Sequence, residues 1–314
     1  MITVLAASPS LDVTYVVDDY RLGEIHRPAS VIRVAGGKAL NAARAATVLG
    51  ADVHAVALLG GSLGTAVLVD AERSGVTVSQ IETDAETREC VSVMSVADGQ
   101  LTEVYEHPSD VTEAEWVFAL SAIAEVVPAR PGWLMVSGGM PASLGVGALV
   151  DVLQIADRAG IRVALDSHGE ALRAALGSTS PALLKINRAE AAELLGLSTE
   201  LPLVELARAL RATTGGAIVV TDGVDGALGI DTDDSAVHVS LTGHRGEFPV
   251  GSGDSFLGGL VVALDAGETL ERGMRLATAA ATANAMVPGA ALFSRASVDA
   301  LLHEVRVIPL SAAR

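Results

Sequence analysis

The chain has 314 residues, half of them hydrophobic, with 38 acidic and 21 basic side chains and a formal net charge of −17. That much apolar chain suits one large α/β domain with an insertion, or two domains. The acidity argues against a non-specific nucleic-acid binder, which needs a basic face to neutralise phosphates, and reads as a solvated surface.

The chain opens on an apolar strand at 2–7, with no basic leader before it, and Asp12 follows soon after. Segments 13–17, 30–34, 77–81, 90–96 and 102–106 mix polar and apolar residues and resemble antiparallel strands with one wet face. They predict a small sheet in two excursions, roughly 13–35 and 77–110, beside a main layer that holds 2–7, a helix at 39–49 and a strand at 54–59. From residue 130 the pattern alternates. Strands are expected at 133–137, 162–165, 182–186, 217–221 and 227–230. Helices are expected at 143–159, 169–176, 189–195, 203–213, 254–265 and 270–286. Continuous apolar strands between helices predict a mostly parallel sheet covered on both faces. Residues 276–294 carry no charge, but Asn284, Pro288 and Gly289 interrupt them, so a packed helix is expected and not a membrane span. The protein is expected to be soluble and cytoplasmic, with no nucleic-acid or membrane partner.

Cys90 is the single cysteine and so forms no intrachain disulfide, and the seven histidines show no metal-binding spacing. Only Lys38 and Lys185 are lysine among the 21 basic residues. In a chain that otherwise uses arginine, each suggests a need for a compact point charge.

Four segments carry candidate chemistry. Gly36-Gly37-Lys38-Ala-Leu-Asn41 sits between a strand and a helix, where paired glycines admit close backbone approach; it also reads as a plain tight turn. Lys185-Ile-Asn187-Arg-Ala-Glu190 ends a strand at the ligand-binding edge of a parallel sheet, and Asn187 with Glu190 is spaced as a capping pair. Thr221-Asp-Gly223-Val-Asp-Gly226 is a two-glycine turn between strands. Gly251-Ser252-Gly253-Asp254 precedes an apolar helix, whose first N–H groups attract anions. A carboxylate beside such a cradle makes sense if it takes a proton from a hydroxyl that then attacks a phosphate; the alternative is a helix cap.

In this order the segments resemble the ribokinase-like, phosphofructokinase-B type carbohydrate kinases, with their GGKGxNxA, KxNxxE, TxGxxG and GxGD motifs. The likeness runs from Ser8-Pro-Ser-Leu-Asp12 to Pro288–Phe293. No GxxxxGK[ST] loop or protein-kinase signature is present. Gly23-Glu-Ile-His-Arg27, Thr87-Arg88 and Leu165-Asp166-Ser-His-Gly169-Glu are similar to the 1-phosphofructokinase and tagatose-6-phosphate kinase branch. Ser8, Ala39, Gly139, Ile186 and Phe248 depart from the pattern.

The resemblance implies a three-layer α/β/α domain with a small β-sheet lid, spanning 1–314. It implies ATP-dependent phosphorylation of a sugar or sugar-phosphate hydroxyl. Asp254 would be the base, with the backbone of Gly251, Ser252 and Gly253 as the anion hole. Asp12, Gly36, Gly37, Lys38 and Asn41 would hold the sugar, and Arg27 and Arg88 a phosphate on it. Lys185, Asn187, Glu190, Thr221, Gly223, Gly226 and Asn284 would serve the nucleotide, Asn284 by contacting its base. Glu190 would reach Mg²⁺ through water, K⁺ would be an optional second cation, and a homodimer would form through the lid sheet. Two alternatives stay open: a kinase of an unphosphorylated sugar or nucleoside, and a catalytically silent sensor of sugar or nucleotide.

Overall fold

The structure is a computed structural model and describes residues 1–244 and 246–310. Strand β1 (Ile2–Ala6) is followed by β2 (Ser10–Val17), β3 (Ser30–Gly36), α1 (Lys38–Val48), β4 (Val53–Leu59), α2 (Gly61–Arg73), β5 (Thr77–Glu82), β6 (Arg88–Ser95), β7 (Gln100–Tyr105), α3 (Glu113–Ala129) and β8 (Trp133–Ser137). The second half runs α4 (Ala148–Arg158), β9 (Arg162–Asp166), α5 (Gly169–Leu176), β10 (Leu183–Asn187), α6 (Arg188–Leu195), α7 (Leu203–Arg211), β11 (Ala217–Thr221), β12 (Ala227–Ile230), β13 (Ala236–Ser240), α8 (Ser252–Asp265), α9 (Leu270–Ala285), α10 (Arg295–Leu302) and β14 (Arg306–Leu310).

Among the described residues, ten strands form one sheet in the order β14-β13-β12-β11-β10-β9-β8-β1-β4-β5. From β11 to β5 every neighbour is parallel, and β12, β13 and β14 add on antiparallel. Parallel pairs need long crossovers, and the helices supply them on both faces. Side chains alternate along each strand, so Ile2, Val4 and Ala6 join the layer of α1, α2, α8, α9 and α10, while Leu5 joins that of α3 to α7. The expected three-layer domain is thus observed. Among the described residues no helix is long and apolar enough to cross a membrane.

The second sheet has the order β3-β2-β6-β7. It differs from expectation in two ways. Strand β5 belongs to the large sheet, as the parallel edge neighbour of β4, so the small sheet comprises 10–36 and 88–105 instead of 13–35 and 77–110. An edge strand is half wet whichever sheet it joins, and its mixed pattern did not separate the two. Strands β2 and β6 also pair parallel, because β3 and then some fifty residues of the main layer, and no hairpin, separate them. The helix expected at 143–159 is broken: a 3₁₀ turn at Ala142–Leu144 ends at Gly145, with φ +70, before α4 begins. Helices α2, α3 and α10 and strands β13 and β14 were not read from the sequence.

Candidate active site

The site is built where the carboxyl ends of β1, β8, β9, β10 and β11 meet the N-termini of α1 and α8. On one side, β1 leads through Ser8–Ser10 into β2 and Asp12. Strand β3 returns beside it and ends at Gly36. A side chain at Gly36 would overlap the Asp12 carboxylate, and Gly37 turns at φ +85 with its missing Cβ 2.8 Å from the Ser8 carbonyl oxygen. Both glycines are therefore demanded by close approach. Ser10 Oγ donates to Asp12 Oδ1 at 2.6 Å. Burial raises the Asp12 pKa, while the Ser10 bond and the charges of Arg44 and Arg88 pull it back.

On the other side, adjacent parallel strands bring their last residues abreast: Ser137 beside Asp166, and Asn187 beside Thr221. Asp166, with 1% of its surface exposed, accepts from the buried Lys185 Nζ at 2.7 Å. Lys38 Nζ lies 3.9 Å from Asp166 Oδ1 and 3.6 Å from Glu190 Oε1. Burial works against the Lys38 charge, but Asp166, Glu190 and Asp254 outweigh it and raise the Lys38 pKa. Asn187 and Glu190 form a full capping box on α6: the Asn187 Oδ1 accepts from the Glu190 N–H, and Glu190 Oε2 from the Asn187 N–H, each at 2.9 Å. The box uses one Glu190 oxygen and leaves the other facing Lys38.

The third part is the head of α8. Gly251 adopts φ +78 and turns the chain into the helix. The Ser252 N–H is taken by Pro249 and the Ser255 N–H by the Gly251 carbonyl. Those of Gly253 and Asp254 have no partner among the described residues, which leaves two donors at the positive end of a fourteen-residue helix. Lys185 Nζ stands 3.2 Å from where a Gly253 Cβ would be. Asp254 is buried and its Oδ2 accepts from Asn41 Nδ2 at 3.0 Å. Its pKa is pushed up to about 6 by burial first, with the Asp166 charge adding and Asn41, Lys185 and Lys38 opposing. The Asn41–Asp254 contact is possible because α1 rides close on α8: a Cβ at Gly258 would come within 2.6 Å of the Ala42 oxygen.

Of the residues singled out from sequence, the structure gathers Asp12, Gly36 and Gly37 in one corner. It gathers Lys38, Asn41, Lys185, Glu190, Gly251, Ser252, Gly253 and Asp254 around a second. Thr221 lies one strand further, beside Asn187. Gly223 and Gly226 form the expected turn, where Gly226 is required by φ +99 and by the Val239 carbonyl against it, a packing reason with no ligand in it. Asn284 is a correction. It is fully buried, donates to the Val250 carbonyl at 2.7 Å and to Ser252 Oγ at 3.0 Å, and accepts from the Ala291 N–H at 2.7 Å. It braces the α8 loop from behind and has no free atom for a base. The two arginines differ: Arg88 pairs with Ser10 across β2 and β6 at the Asp12 corner, whereas Arg27 is not gathered. Arg27 is exposed with no hydrogen bond or ion pair among the described residues. Arg88 donates to the carbonyls of Glu106 and Ser8, though its charge reaches Asp12.

Two residues were missed. Asp166 had a signal, since a carboxylate ending an apolar strand needs a partner and Lys185 is one of only two lysines. Arg44, buried in α1, showed as an arginine inside an alanine run.

Magnesium fits this donor set. The buried Asp166 Oδ1 makes no hydrogen bond, and Glu190 offers the oxygen outside its capping box, which lies 3.6 Å from Lys38 Nζ. Among the described residues no cluster of three or more His, Cys, Asp or Glu could hold a metal alone, so other ligands must complete the shell.

A family model described as pfkB family carbohydrate kinase matches residues 5–296. Tagatose-6-phosphate kinase of Staphylococcus epidermidis is 28% identical over 312 residues, 98% of this chain and 99% of that protein. Phosphofructokinase-2 from Escherichia coli, in complex with substrates and products, superposes with a TM-score of 0.89 at 26% identity, covering 96% of this chain and 98% of that one. A possible 1-phosphofructokinase of Thermotoga maritima shares the fold, with a TM-score of 0.90 at 19% identity over 99% and 100% of the two chains.

Proposed function

The chain belongs to the pfkB family of carbohydrate kinases, and from that premise we propose that it transfers the γ-phosphoryl group of ATP to a hydroxyl of a sugar phosphate. Relatives named for tagatose 6-phosphate and fructose phosphate support this acceptor class. The observation that carries the reading is Asp254: a buried carboxylate at the head of a helix with two unpartnered N–H groups, held by Asn41 and flanked by two lysines.

Asp254 accepts the proton of the attacking hydroxyl. With a pKa near 6 it is a better base than an ordinary carboxylate and is still ionised at neutral pH. A loose phosphoryl-transfer transition state asks mainly for positioning and charge stabilisation. The N–H groups of Gly253 and Asp254 supply donors for the negative charge on the transferred group, and Lys185 stands beneath them. Lys38 neutralises the opposite side. Asp12, fixed by Ser10, accepts from sugar hydroxyls. Magnesium, held by Asp166 and Glu190 through water, would offset charge on the nucleotide phosphates. The small sheet would close the site against water, which otherwise competes as acceptor. Its exposed Val31 and Val104 suit pairing with a second copy, which light scattering on the purified chain tests.

A second reading, an unphosphorylated acceptor, is favoured by one observation: Arg88 is engaged with carbonyls and Arg27 has no partner among the described residues. ADP release with Mg-ATP over a panel of sugars, sugar phosphates and nucleosides decides. Turnover on tagatose 6-phosphate or a fructose phosphate supports the first reading, turnover confined to neutral acceptors supports the second, and silence of the folded chain overturns both. The Escherichia coli phosphofructokinase-2 is also known in complex with potassium, so the panel is run with K⁺ and again with tetramethylammonium.

A further inference from the structure

Among the described residues only two cations are buried, Lys185 and Arg44, and the mechanism above uses only the first. Removing a guanidinium from water is costly unless its N–H groups are matched. Arg44 Nη2 donates to the Ala35 carbonyl at 2.5 Å and to Asp70 Oδ2 at 3.2 Å, and Nη1 donates to the Ala290 carbonyl at 3.1 Å. Asp70 Oδ2 also accepts from the Ala35 N–H at 2.8 Å. The pair thus grips both backbone groups of one residue.

The two ends of this grip matter. Ala35 precedes Gly36, which packs directly on the Asp12 carboxylate. Ala290 lies against Gly251, whose missing Cβ would come 2.6 Å from the Ala290 Cβ. The next residue, Ala291, is bonded to Asn284, which holds Val250 and Ser252. A continuous set of contacts therefore joins the floor of Asp12 to the loop at the head of α8. Arg44 also follows Asn41 by three residues, on the helix face that meets Asp254. An ion pair with one member buried is a poor device for stability alone, since apolar residues of similar size in place of the buried member hold helices at least as well. Its gain is fixed geometry.

We infer that Arg44, with Asp70, is a positioning residue for phosphoryl transfer: it sets the strand end Ala35–Gly37, and Asp12 with it, at a defined distance from the Gly251–Asp254 loop. The inference rests on the kinase reading. Acceptor hydroxyl and phosphoryl group are bound by different ends of the chain, and a small error in their separation is paid in rate and not in binding.

The test compares wild type, Arg44→Lys, Arg44→Met and Asp70→Asn as full chains, with the acceptor of the panel that wild type turns over fastest. A misplacement of this kind is expected to lower kcat about tenfold or more, with both KM values within about threefold. The melting temperature of Asp70→Asn should stay within about 5 °C of wild type. Lysine keeps the charge but not the fork, so Arg44→Lys should recover part of the Arg44→Met loss. Should Arg44 variants fail to fold, Asp70→Asn decides, because Asp70 is partly exposed and its replacement is isosteric. Wild-type kcat in a folded Asp70→Asn, or a kcat loss that merely follows melting, would overturn the inference and leave the kinase reading standing. Silence of wild type on every acceptor removes both.

Discussion

Asn41 and Asp254, 213 residues apart, share a hydrogen bond of 3.0 Å between two buried side chains. The bond stabilises the ionised carboxylate and so opposes the burial that raises its pKa. Asn41→Ala should therefore move the acid limb of the pH–rate profile upward from about 6, since less Asp254 is ionised at a given pH. The check is kcat/KM against pH between 5 and 8, a range about one unit or more beyond that limb. A limb that stays put would detach Asp254 from the profile.

Asp254→Asn should lose about 10²–10⁴-fold in kcat, the usual contribution of a general base. It should also be more stable than wild type at pH 7. The folded pKa near 6 lies above the ordinary aspartate value of 3.8, so ionisation costs the folded state free energy that builds as pH rises from about 4 to about 6 and then stays constant. Two units correspond to roughly 3 kcal/mol as an upper figure. Denaturation at pH 4 and pH 7 reads it: the gain should appear at 7 and shrink at 4.

Gly253→Ala places a methyl 3.2 Å from Lys185 Nζ, tighter than ordinary packing. The lysine must give way and weaken its 2.7 Å contact with Asp166. The expected result is a higher KM for ATP and a kcat lower by about tenfold, with the acceptor KM little changed. Steady-state kinetics in both substrates measure it; an effect confined to the acceptor KM would contradict the assignment of this loop to phosphates.

Asn284→Ala separates a brace from a nucleotide contact. As a brace, its loss strands the buried Ala291 N–H, at about 1–3 kcal/mol, and also frees the half-buried Val250 carbonyl. The melting temperature should fall by several degrees. A variant of unchanged stability with a raised ATP KM alone would restore the base contact expected from sequence.

Much of the site was legible because its chemistry is crowded into short segments. Gly36, Gly37 and Gly251 announce close approach or a left-handed turn, and the structure shows the atoms that demand it. The parallel strands were legible as apolar runs flanked by helices. What was not legible depends on the third dimension. The pattern of β5 is that of any half-wet edge, and nothing local says which sheet it borders. Asn284 looks the same in sequence whether it faces a ligand or a neighbouring loop; only its burial distinguishes them. Arg44 and Asp70 sit 26 residues apart on different helices, and their pairing exists only once α1 and α2 have docked on the sheet.

The seating of α1 on α8 ties the timing of activity to synthesis. Ala42 lies against Gly258, and Asn41 meets Asp254 only when that seat is made. These partners lie more than 200 residues apart, so the segment proposed to hold the acceptor emerges from the ribosome long before its counterpart exists, and the contact is of the slow, non-local kind. A nascent or prematurely ended chain can fold many of its strands yet has no competent centre, and so cannot consume nucleotide until its last third has been made.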